Sequence, residues 1–260
     1  MEQNAINNEL NSEEYKREWR RLIEMRKSII ACLAFCYMNS ARDGSSGGRN
    51  FFLRMIDDII QSIISIEINA NNGIVNTCRR EARYLVELSI KSYFIVTNNT
   101  KITFEQQIDE YEKLLDSSNI NPINTLSFHY LTGHEEEFKM YVKRLYGYLC
   151  MYSHSSSYQI RERLTRAEAG RTIGFEGVQE LHKLNNDIEK VFSTVIVMIF
   201  HSVAPYVTAD FLVEPNGETI DWYFNKSKFI CLIDQQFDYK SERQSILADL
   251  NIRRTNRVTF

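Results

Sequence analysis

Apolar residues return every three or four positions through most of this chain, the period of an amphipathic helix. Ser12 followed by Glu13 and Glu14 opens the first such stretch, since acidic groups suit the positive end of a helix. Trp19, Leu22, Ile23, Ile30, Leu33 and Tyr37 supply its apolar stripe to about residue 39. Segment 40–49 holds three of the ten glycines and reads as a loop. A second helix is expected over about 50–69, closed by Asn71, Asn72 and Gly73, because glycine is favoured just past a helix end. A third, over 74–96, carries Ile74, Cys78, Ala82, Leu85, Leu88 and Tyr93 at helical spacing, with Arg79, Arg80, Arg83 and Glu87 among them. Thr103 caps a short amphipathic helix reaching about residue 115. Segment 117–133 is less regular, with a turn at Pro122. A helix starts near His134, where Glu135, Glu136 and Glu137 again suit the positive end, and runs to about 153. Residues 155–177 read as a polar connector, and the longest apolar helix spans 178–203 before Pro205. Its stretch 191–200 leaves no polar face, so it must be enclosed.

Beyond 205 the character changes. Segment 219–235 is rich in β-branched and aromatic residues, with Asn225, Lys226 and Ser227 as a turn, and it reads as a β-hairpin. A short helix over 241–250 and a basic tail complete the chain. The expected fold is therefore mainly α: a helical bundle over 1–205 with a small C-terminal β-hairpin and short helix over 206–260.

Composition agrees with this outline. With 43% apolar and 25% charged residues in 260 positions, a sizeable core is affordable. Ten glycines and three prolines are too few for the many turns of an all-β fold. A net charge of −3 argues against a general nucleic-acid coat while leaving room for a local basic site. The five cysteines are odd in number and contain no C-x-x-C, which points to free thiols in a reducing cytoplasm. The polar, Asn-rich start does not resemble a signal peptide, and the apolar run at 191–200 is about half of the ~20 residues needed to cross a bilayer, so no membrane role is expected.

No phosphate-binding glycine loop, G-x-S-x-G, H-E-x-x-H or calcium loop occurs. Cys32 and Cys36 have no partnering Cys or His pair at ligand spacing, and Gly133 interrupts the helix that would align His129 with His134, so neither a metal nor a cofactor is expected. Three features remain. Arg83 and Glu87 lie at i, i+4 amid bulky apolar residues: either an exposed ion pair worth little, or a partly buried pair that aims Arg83 at a site. His154 follows an apolar, aromatic helix end and precedes three serines, as a C-terminal cap or as a general acid/base. Arg144 lies ten residues upstream, about 15 Å along a helix axis, so the two need another helix or subunit to act on one phosphate. Tyr152 and Tyr158 flank His154 and either stack on a base or pack. Arg161, Arg163, Arg166 and Arg171 form either a solvated face or a phosphate-binding rim. His201 reads as a core residue, and His129, His134 and His182 as loop or surface.

Over about 74–201 the chain resembles the HEPN-like helical families of bacteria. The Arg83-x-x-x-Glu87 pattern in a long helix is one point of similarity. The later helix end carrying Tyr148, Tyr152, Ser153 and His154 is the other. The resemblance implies a helical bundle, frequently a homodimer. It also implies metal-independent ribonuclease activity of the toxin or anti-phage type, with a composite site built from an arginine and a histidine on each subunit. The usual signature has an arginine four to six residues before the histidine; no arginine precedes any of the five histidines at that spacing. A divergent nuclease would use Arg83 or Arg144 with His154, supported by Glu87, and would bind RNA through Tyr152, Tyr158, Arg161 and Arg163. The alternative is a non-enzymatic helical interaction module, a subunit of a bacterial defence assembly.

Overall fold

The computed structural model describes residues 8–42, 50–98, 102–153, 156–171 and 174–260. In chain order the α-helices are α1 (Glu13–Ala41), α2 (Phe51–Arg54), α3 (Ile56–Asn71), α4 (Val75–Asn98), α5 (Phe104–Leu115), α6 (Glu135–Cys150), α7 (Ser157–Glu168), α8 (Val178–Ser202), α9 (Pro205–Leu212), α10 (Lys228–Gln235) and α11 (Leu247–Arg257). Short 3-10 turns cover Asn121–Thr125, His129–Leu131, Tyr223–Lys226 and Ser241–Arg243.

The stretch 191–200, apolar but for Ser193 and Thr194, lies where its composition demands. Every residue of 191–200 is at most 2% exposed, at the C-terminal half of α8. Such a helix must be surrounded, and α4 runs along it most extensively, with α1 on another flank. Around this pair, α3 and α6 pack on α4, and α9 packs on α1. Each fully buried Val, Ile or Phe of this layer contributes roughly 1.5–3 kcal/mol of transfer free energy.

Local chemistry sets the helix ends. Ser12 accepts from the Tyr15 amide at 3.1 Å at the head of α1. Thr103 and Gln106 form a reciprocal capping box at the head of α5, at 3.3 and 2.9 Å. The start of α8 is capped from a distance, by Glu9, which accepts from the Val178 amide at 2.8 Å. Gly177, with φ of 92°, leaves room there: a Cβ would meet both Glu9 and the Arg171 guanidinium.

Three expectations are corrected. The expected second helix is two, broken at Met55 (φ −87°, ψ 2°), which closes α2 and starts α3. Much of the expected connector after 155 is helical: α7 starts at a Ser156 cap on the Gln159 amide, at 3.2 Å. The expected C-terminal β-hairpin does not form. Among the described residues the segment 219–235 contributes only one isolated bridge, Thr219 with Val213, and then a 3-10 turn and α10. The reason is spacing: Phe229, Ile230 and Ile233 bury one helical face against α8 and the turn at 129–131, overriding strand propensity. Arg243 and Arg254 lock α10 in place by converging on the Asp234 carboxylate and backbone carbonyl. No helix among the described residues is long and apolar enough to cross a membrane.

Candidate functional site

Residues 79, 83, 87 and 91 step at i, i+4 down one face of α4, and all four are ionisable. This charged stripe is not solvated. It faces α6 and α8, and each member finds partners there or on the stripe itself.

At its centre Arg83 and Glu87 pair at 3.2 Å, with side chains 17% and 15% exposed. Arg83 Nε also donates to Cys150 Sγ at 3.3 Å, and Nη2 donates to the Tyr146 hydroxyl at 2.8 Å. The Tyr146 hydroxyl sits between Glu87, at 2.9 Å, and the Ser118 carbonyl. Burial alone would favour loss of the Arg83 proton; the bonds to Cys150, Tyr146 and Glu87 outweigh it and hold the guanidinium charged. Burial beside Glu87 pushes the Tyr146 phenol well above its ordinary value, so it stays neutral and donates. Lys91, 1% exposed, closes the stripe with bonds to Glu87 (2.6 Å) and the Ser117 carbonyl (2.8 Å).

At the other end lies Arg79, fully buried, whose importance the sequence reading missed. Its Nε donates to Asp187 of α8 at 2.9 Å. Its guanidinium lies over the Tyr152 ring, 4.5 Å from the centroid. Nη1 and Nη2 have no hydrogen-bond partner among the described residues. Burial raises the Asp187 carboxyl above the ordinary range, against the opposing pull of Arg79. Tyr148 donates to Asp187 at 3.3 Å and shares a bond with Tyr152 at 3.1 Å.

The candidate residues named from sequence therefore part company. Arg83 and Glu87 stand together with Tyr146 and Cys150. Arg144 does not join them: two residues before Tyr146, it points about 200° round the helix. It lies exposed beside a different cleft, with Tyr148 and Asp187. Tyr152 is 1% exposed beneath Arg79, so it packs and has no ring face for a base. Tyr158 is 44% exposed and meets Tyr152 edge-on at 6.1 Å. Arg161 and Arg163 are exposed on α7. His154 lies outside the described residues; its sequence neighbour Cys150, four positions earlier, touches Arg83.

Arg163 also lines an open groove of about 970 Å³ between α7 and the start of α4, together with Arg80 and Arg171. Arg166 lies against it too, but is only 9% exposed and is clamped by Glu162, Glu176 and Glu180. Ile74, Ile160 and Leu164 line it with exposed side chains, and Gln159, 3% exposed, also lines it, with an Oε1 that has no partner among the described residues. His201 is buried in the core, and its Nε2 accepts from the Tyr130 amide at 3.2 Å. No group of three or more His, Cys, Asp or Glu suited to a metal ion occurs among the described residues. Compared with protein-family models, characterised proteins and solved structures, the chain has no significant match to any of them.

Proposed function

We propose that this protein is a divergent HEPN-like ribonuclease of the anti-phage or toxin type that cleaves RNA without a metal ion. The observation that carries the reading is the contact of Arg83 with Cys150. It brings a charged, half-enclosed guanidinium to the helix end that leads into His154. In this scheme the His154 imidazole takes the 2′-hydroxyl proton, and the 2′-oxygen attacks phosphorus. The bond to the 5′-oxygen breaks, that oxygen receives the proton, and the products are a 2′,3′-cyclic phosphate and a 5′-hydroxyl. Arg83 supplies the fixed positive charge for the phosphorane. Glu87 and Tyr146 position it.

Arg80 and Arg163 along the groove supply the cations for the RNA backbone, with Arg161 and Tyr158 on the same helix as Arg163, while Arg171 is paired with Glu9. Two copies complete the composite site in a cytoplasmic homodimer. Incubation of the purified protein with total RNA in EDTA is expected to yield fragments. Arg83→Ala, with unchanged helicity, is expected to yield none.

A second reading rests on Ile160 and Leu164. These residues, one turn apart on α7, are 46% and 59% exposed beside Ile74 at 38%. Such a stripe suits a protein partner of a defence assembly, with the chain acting as a non-enzymatic interaction module. Wild-type protein that cleaves no RNA under any ionic condition selects this reading.

A further inference from the structure

Helix α7 packs on no other helix among the described residues beyond marginal contact. What holds it is charge: Arg166 pairs with Glu162 one turn away and with Glu176 and Glu180 outside the helix. Its aliphatic side chains are left over. Ile160, Leu164 and Ala167, at i, i+4 and i+7, share one stripe with Arg163. That stripe lines the groove of about 970 Å³, together with Ile74, just before α4, and Arg80 within α4. A helix of 12 residues is marginal in water unless an apolar face is packed, so a stripe at this spacing calls for an opposing helix.

The charges of the groove say which helix. Glu176 is committed to Arg166, and Arg171 to Glu9. The Arg80 and Arg163 side chains make no hydrogen bond or ion pair among the described residues. Both open charges are therefore positive, and the opposing surface needs carboxylates. A second copy of α7 would set Arg163 against its own counterpart. RNA would answer the cations but not the aliphatic stripe. No aromatic side chain lines the groove among the described residues, so a base finds no ring to stack on. Tyr158 lies two residues before Ile160, about 200° round the helix.

We propose, on the basis of the second reading above, that this groove seats an acidic amphipathic helix of a protein partner. Its aliphatic side chains rest on Ile74, Ile160 and Leu164, and its carboxylates on Arg80 and Arg163.

Fluorescence anisotropy with the full chain and three labelled probes tests it. The first is a four-turn helical peptide with leucine at i, i+3, i+4 and i+7 and glutamate on both flanks. The second has lysine in place of glutamate, and the third is oligouridine. The glutamate peptide is expected to bind saturably and the lysine peptide not to bind. The double variant Ile160→Ser, Leu164→Ser, with an unchanged melting curve, is expected to weaken the glutamate peptide by on the order of tenfold. Arg163→Glu is expected to lose the glutamate peptide and to gain the lysine peptide, while Arg257→Glu on α11 leaves both unchanged. Glutamate-peptide binding indifferent to the serine variant would overturn the face, and the second reading with it. Wild-type preference for the lysine peptide would overturn the acidic assignment alone. No binding of either peptide, or oligouridine binding that alone depends on Ile160 and Leu164, would overturn the proposal.

Discussion

Arg79 donates its Nε to Asp187 at 2.9 Å, joining α4 to α8 through a guanidinium that solvent does not reach. The same guanidinium rests on the Tyr152 ring, so this one pair fixes both the central helix packing and the chain two residues before His154. Removing one member of a buried pair strands the other charge. Asp187→Asn is therefore expected to cost about 3–5 kcal/mol in urea unfolding, and replacing both residues with leucine is expected to recover most of it. An Asp187→Asn protein as stable as wild type would show that the pair is solvated.

Arg83 meets Cys150, Tyr146 and Glu87 at once, a set that a lysine ammonium cannot span. Under the proposed chemistry, Arg83→Lys is expected to lower kcat for RNA cleavage by roughly 10²–10³-fold while KM changes little. A change in KM alone would reassign Arg83 to binding.

His201 provides a pH-dependent term in stability. Its Nδ1 lies 2.8 Å from the Val197 carbonyl and its Nε2 accepts from the Tyr130 amide, an arrangement that requires the neutral ring. Burial lowers its pKa to about 3, well below the 6.5 of a free histidine. Below pH 6.5 the unfolded chain takes up a proton that the folded chain refuses. Stability from this group is therefore complete above that pH and is lost as pH falls toward 3, by at most about 1.4 kcal/mol per pH unit. Denaturation midpoints from pH 7 to 4 are expected to fall more steeply for wild type than for His201→Asn. Equal slopes would place a titrating partner elsewhere.

A composite site requires two subunits. Light scattering at tens of micromolar protein is expected to give twice the 30.6 kDa chain mass. A monomer mass across that range would remove the two-subunit form of the site.

The helices α1, α4, α5, α6 and α8 were legible in the sequence because each carries an apolar stripe or an explicit cap. α7 was not, because its inner face is polar: Gln159 and Arg166 are its buried residues. α10 read as a strand because Phe229 to Ile233 is a continuous apolar run; only the tertiary contacts select the helical period. At the site, the spacing of Arg83 and Glu87 announced their contact. The four-residue step from 79 to 91 was equally visible, but Arg79 gains its meaning from Asp187, 108 residues away. Tyr152 was open to stacking or packing, and the buried guanidinium above it decides for packing.

The most direct measurement compares cleavage of single-stranded RNA by wild-type and His154→Ala protein, both in EDTA and with matched helicity. Cleavage by the wild type that leaves 2′,3′-cyclic phosphate ends, and none by His154→Ala, is the expected result. Equal cleavage by both proteins, or wild-type cleavage that appears only with Mg²⁺, would contradict a metal-independent site built on His154 and Arg83.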